Sequence, residues 1–172
     1  TMKMTNVDTV STYFASHNVG GGNIVTTGAL NSGSITSGFG NINTGSSTIT
    51  TTGAVATGDI TATGIVLATT DTDTSNTGSI TLDFSANQNF VLTLTGNVTL
   101  ANPSTENVGQ SGFIAFIQDG TGSRTITLGT DYETAASAGL TLTTTASATD
   151  LVPYLVVASN RILLGTPQLA FG

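Results

Sequence analysis

Asp131 and Glu133, on either side of Tyr132, are the two acidic side chains closest to forming a working pair in this chain. Two carboxylates that converge on a glycosidic bond can act as acid and nucleophile. Residues two apart in a loop rarely face one another in that way. The sequence therefore reads Asp131, Tyr132 and Glu133 as a surface loop, a candidate for receptor contact rather than for catalysis. Asp71, Asp73 and Ser75 imitate the start of a calcium loop. The sixth position holds Asn76 instead of Gly and the twelfth holds Leu82 instead of Glu, so a solvated linker is the better reading. His17 is the single histidine and builds no triad on its own. Three copies on an axis could share a metal, but a surface histidine is the simpler reading.

The remaining motifs point away from an enzyme. No glycine pattern of a dinucleotide or phosphate loop is present, and no GxSxG. There is no Cys, hence no disulfide, thiolate metal site or thiol nucleophile. Catalytic, cofactor-binding and metal-ligating residues are all expected to be absent. Asn97 heads a glycosylation sequon of the kind a Thr-rich chain produces by chance. Tyr132 and Tyr154 could stack on a sugar, although without Trp no strong platform is visible.

Charge sets further bounds. The formal net charge is −7, with only three Lys and Arg among 172 residues. Three cations cannot neutralise a phosphate backbone, so nucleic acid is excluded as a partner, and an anionic membrane surface with it. No apolar run is long enough to span a bilayer as a helix. Charged residues make up 8%, against roughly 25% in an average domain. Thr, Ser and Asn must carry solubility instead. The abundance of Thr, Gly, Val and Ile predicts an all-β chain.

The elements that would position any site fall into four parts. Residues 1–22 are a lead-in that ends in three glycines and could dock on a partner. Residues 23–67 space single aliphatics five to seven apart through Gly, Thr and Ser: Leu30, Ile35, Ile42, Ile49, Val55, Ile60 and Ile65. Neither a helix nor a half-buried strand has that period. TGALNSGSIT at 27–36 repeats as TGAVATGDIT at 52–61, an offset of 25 residues. Such self-similarity predicts a thin, stacked β stem, a trimeric β-helix or prism. One aliphatic per rung contributes roughly 1.5–3 kcal/mol. Ordering each residue costs roughly 1–2 kcal/mol. A lone copy therefore loses, and three chains around one axis are the closed solution, which predicts a homotrimer.

Residues 68–77 read as a linker, and residues 78–172 as a head of about eight short antiparallel strands in a jelly-roll-like β-sandwich. Its expected core is Ile80, Leu82, Phe84, Leu92, Leu94, Phe113, Phe116, Ile126 and Leu128. The segment around Phe113 and Phe116 is apolar on both faces and reads as a fully covered central strand. A tight turn is expected at Gly96 and Asn97, a strand through Leu140 and Leu142, and a last hairpin around Ser159 and Asn160. Pro153 is expected at an edge or bulge.

The stretch GALNSGSITSGFGNINTGSSTITTTG resembles segments in fibre and structural proteins of marine tailed bacteriophages. The stretches DFSANQNFVLTLTGNVTLANPSTENVGQSGFIAFIQDGTGSRTITLGTDYE and DLVPYLVVASNRILLGTPQLAFG resemble a C-terminal module of such proteins. The resemblance implies a virion fibre that is trimeric, and it does not reach residues 1–19. From the layout of the chain itself, the N-terminal segment is expected to bind other virion proteins and the head to reach a host-surface glycan or protein. A capsid-decorating fibre without a receptor, or a cell-surface filament subunit, remains the alternative. A polysaccharide depolymerase would need a carboxylate pair that the chain does not display.

Overall fold

The computed structural model describes residues 41–172. By contact, the chain divides into two units, Thr1–Gly58 and Asp59–Gly172. The described part of the first unit holds no strand, and Ile42, Ile49 and Val55 are exposed. Leu30, Ile35 and the lead-in 1–22 lie outside the described residues. In the second unit, residues 59–69 are likewise irregular, and Ile60 and Ile65 are exposed. A single chain thus forms no rungs between residues 41 and 69, as the balance between one aliphatic and several ordered residues dictates.

From residue 70 onward the chain is nearly all β, in one mixed sheet. The strands are β1 (Thr70–Thr81), β2 (Asn89–Ala101), β3 (Ser111–Gln118), β4 (Ile126–Leu128), β5 (Tyr132–Thr134), β6 (Thr149–Ala158), β7 (Arg161–Leu164) and β8 (Gln168–Phe171). The expected antiparallel head is half right. β3, β6 and β7 pair antiparallel, as do β6 and β8, whereas β1, β2, β3 and β4 pair parallel. The parallel part is a coil. Thr70 lies beside Asn89, and Ile80 beside Leu100, so β2 restacks on β1 after about twenty residues. The next coil places Ile114 beside Phe90 and Ile126 beside Val98. Leu82 and Phe84, in the first return segment, are buried. That is why a chain without helical crossovers can pair parallel: the loops themselves close the core.

The core joins both halves. Phe84, Phe90, Leu92, Leu94, Leu100, Phe116, Val152, Tyr154 and Ile162 form one buried cluster, with Ile80, Ile126 and Leu128 packed partly buried against it. Phe84 stacks edge-on against Tyr154, ring centres 5.2 Å apart. Each fully buried aliphatic or aromatic contributes roughly 1.5–3 kcal/mol.

Several expectations need correction. Phe113 is 47% exposed rather than in the core. β3 alternates, and Ile114, Phe116 and Gln118 take its inner face, leaving Phe113 outside. β3 is therefore central in the sheet but not covered on both faces. The supposed linker 68–77 contains most of β1. Its buried Asn76 explains why a polar run pairs: the carboxamide donates to the carbonyls of Asp73 and Thr93, both at 3.1 Å, across a register shift. Gly96 and Asn97 form no turn. β2 runs through them, passing from β3 to β4 along one edge. Leu140 and Leu142 are buried without forming a strand. Pro153 sits inside β6, not on an edge strand. Its carbonyl accepts from Gly165 at 2.8 Å, so its missing N–H also points to that side, in the gap between the β7 and β8 ladders.

Candidate functional site

The candidate loop at Asp131, Tyr132 and Glu133 is built by an asparagine remote in sequence. Asn102 follows β2 and donates to Thr130 Oγ1 at 2.7 Å and to Asp131 Oδ1 at 2.9 Å. The Asp131 N–H donates back to Asn102 Oδ1 at 3.1 Å. The Asp131 carbonyl accepts the Ile162 N–H, which registers β5 against β7. Asp131 and Tyr132 are both buried, so neither is a surface contact as the sequence suggested. Tyr132 sits beside Ile162 in the sheet and joins the core. Burial pushes its phenol up from the ordinary value, and the Asp131 and Glu106 carboxylates add to that shift. Its hydroxyl has no hydrogen-bond partner.

Glu133 is the one member of the three that faces outward. Arg161 grips it with two parallel bonds, Nε to Oε1 at 2.8 Å and Nη2 to Oε2 at 2.9 Å. The guanidinium holds the Glu133 carboxyl below the usual range. Asp131 lies just before β5 and is held inward by Asn102, whereas Glu133 on β5 points outward to Arg161, so the two carboxylates do not converge. An open groove of about 310 Å³ runs past Glu133, lined by Thr130, Tyr132, Thr134, Ser137 and Gly139. It offers hydroxyls and one paired carboxylate.

A second groove, also about 310 Å³, is richer in amides: Asn87, Gln88, Asn107 and Gln110, with Ser85. Gln110 donates to the Asn87 carbonyl at 2.7 Å, and its buried Oε1 is unpartnered. Beneath it, Tyr154 donates to the Gln88 carbonyl at 2.6 Å. Tyr154 is therefore a core residue, not a sugar platform. Among the described residues the exposed aromatics are Phe113 and Phe171.

The calcium-like run lies in β1, where the Asp73 carboxylate accepts the Ser75 N–H at 3.1 Å. Among the described residues no three acidic, His or Cys side chains gather to hold a metal. His17 lies outside them. The buried polar residues that shape this end of the molecule were not singled out from the sequence. Gln118 clamps a turn, donating to the Arg124 carbonyl and accepting its N–H at 2.8 Å. Asp119 accepts from Thr121 and Gly122 and pairs with Arg124 at 2.7 Å, which holds its carboxyl below the usual value. The run Asp119, Gly120, Thr121 and Gly122 is itself a local turn signal. Nothing local announced Asn102 or Asp150.

Residues 76–158 match the family described as "Putative phage tail fibre C-terminal domain". The matched stretch begins inside β1 and ends with β6, so it spans both parallel coils and the first antiparallel strand. The match supports a phage tail fibre, and with it a component of the virion. No curated protein and no solved structure matches the chain significantly.

Proposed function

We propose that this chain is part of a homotrimeric tail fibre of a marine tailed phage, with the head acting in host attachment and performing no catalysis. The observation that carries the reading is the tail-fibre match over residues 76–158. Two surfaces support the assembly of copies. Ile42, Ile49, Val55, Ile60 and Ile65 are between 63% and 89% exposed in one chain. On the outer face of the sheet, Phe113, Leu155 and Leu163 stand exposed on β3, β6 and β7, with Pro153 beside Phe113. Exposed apolar surface of this extent marks association, and the charges that border it, Arg161 on β7 and Glu133 beside Leu163, neutralise one another.

The amide groove and the groove beside Glu133 are the surfaces offered to a host glycan or protein. Hydroxyls and carboxamides suit sugar hydroxyls, and three copies would add avidity to weak single contacts. Sedimentation of the full chain at micromolar concentration is expected to give a trimer. A monomer overturns the assembly. Labelled protein is expected to bind host cells. Binding to empty capsids alone would instead make it a capsid decoration.

A further inference from the structure

β1 ends the sheet, and among the described residues nothing pairs with its second edge. Edge strands are normally blunted by lysine, proline, a bulge or a cover. The last four residues of β1, Gly78 to Thr81, carry none of the first two and pair regularly with β2. The sequence holds a match for that edge. TGSIT at 77–81 repeats TGDIT at 57–61, twenty residues earlier. Twenty is also the step from β1 to β2, where Ser79 lies beside Thr99, Ile80 beside Leu100 and Thr81 beside Ala101. The same step backward puts Ile60 beside Ile80.

The burial of this column fits a missing rung. Leu100, with strands on both sides, is fully buried, Ile80 is only partly buried, and Ile60 is 75% exposed. Residues 62–69 correspond to the return segment 82–88. There, Ile65, Val66 and Leu67 are exposed, where Leu82 and Phe84 of the next coil are buried.

We propose that residues 59–61 form a further parallel rung on the free edge of β1 in the same chain, so that the stem repeat continues the coil of the head. The rung rests on the association of copies proposed above, because Ile65, Val66 and Leu67 need cover that one chain does not give.

The chain has no cysteine, so a paired substitution introduces the sole thiols. Asp59 and Ser79 are both exposed, and Asp59→Cys with Ser79→Cys is the in-register pair. Thr61→Cys with Thr81→Cys is a second in-register pair. Asp59→Cys with Thr81→Cys lies two residues out of step. Neighbouring strands are about 4.8 Å apart, within disulfide reach. Two residues along a strand add about 6.6 Å, beyond it. Under mild oxidation of the full chain, both in-register pairs are expected to close about tenfold faster than the out-of-step pair. They should do so within one chain, as a shifted monomer band on a denaturing gel. Equal rates, no closure, or a band at twice the mass overturns the proposal. Sedimentation of the same samples separates the two readings: a trimer without the cross-link removes the rung alone, and a cross-linked monomer keeps the rung but removes both the trimer and the rung's dependence on it.

Discussion

Ile60 and Leu100 occupy similar local sequence, an aliphatic next to threonine in a Gly-containing strand motif, yet Ile60 is 75% exposed and Leu100 has no exposure. The difference is what lies on either side. Leu100 has Ile80 on one strand and Leu128 on the other, and the return segments close over it. Ile60 has neither in one chain. Burial in a coil is a property of stacking order, so one motif gives a core in the head and an exposed ribbon in the stem. The sharpest break of this comparison is truncation. Leu100→Ala is expected to destabilise the head by about 2–5 kcal/mol in urea denaturation. Ile60→Ala, in chains diluted until they dissociate, should stay within about 0.5 kcal/mol of the parent. Equal losses would mean that the stem of a single chain is already packed.

Buried polar groups give the next contrast. In the head, Asp150 is buried and its carboxylate accepts the Thr143 N–H at 2.6 Å, the Thr143 hydroxyl at 2.8 Å and the Ala170 N–H at 2.9 Å. It ties the segment before β6 and strand β8 to one point. Asp150→Asn turns one acceptor oxygen into a donor facing these donors. A loss of about 1.5–3 kcal/mol is expected, with faster amide exchange at Ala170. The described stem residues hold only short-range exposed bonds, such as Gly45 N–H to Asn43 Oδ1 at 2.9 Å, and Asn43→Ala should leave the melting temperature unchanged.

Glycines separate the regions a third way. A Cβ on Gly112 would run into the Gln88 carbonyl and the Asn89 side chain, because β3 passes close beneath the loop before β2. Gly112→Ala is expected to cost about 1–3 kcal/mol. At Gly64 a Cβ meets nothing within 4 Å. Gly64→Ala should therefore be silent in the dissociated chain and report, by loss of assembly, any close packing in the fibre.

Much of the head was legible because alternation is a local signal. Leu92 and Leu94 were placed in the core by period two, and the hairpin at Ser159 and Asn160 by its turn residues. Phe113 was misplaced because a strand apolar on both faces does not say which face is inside. Parallel stacking was illegible for another reason: the return segments look like hairpin loops, and only the register of Thr70 on Asn89 reveals the coil. The candidate site failed similarly. Asp131 precedes β5, and what turns it inward is its pair of bonds to Asn102, remote in sequence; strand alternation alone would set it on the face of Glu133. Tyr132→Phe tests this directly. The buried phenol has no partner, so its removal should be neutral or stabilising at pH 7. With its pKa raised by burial, Tyr132 lends stability that is full below the ordinary value of 10.0 and lost as pH rises above it. The variant should lose the share of the alkaline limb that Tyr132 carries and keep that of Tyr154, whose phenol burial also pushes up.

The smallest expected effect concerns the two ion pairs, both in the head. Arg124 lowers Asp119 and Arg161 lowers Glu133, so the folded head binds fewer protons than the unfolded chain in the acid range. Stability from such groups is present above their ordinary values, 3.8 for Asp and 4.5 for Glu, and is lost as pH falls through the lowered ones. Both pairs are partly open to solvent, which screens them. Calorimetry of the head is therefore expected to show a modest fall in melting temperature as pH drops below about 4.5. Arg161→Met should remove part of that slope while barely moving the melting temperature at neutral pH. Among the described stem residues Asp59 is the one acidic side chain and has no ion pair, so Asp59→Asn is expected to leave the melting temperature of the head unchanged. A shift in the melting temperature of that variant would show that this stem residue and the two pairs share one electrostatic unit.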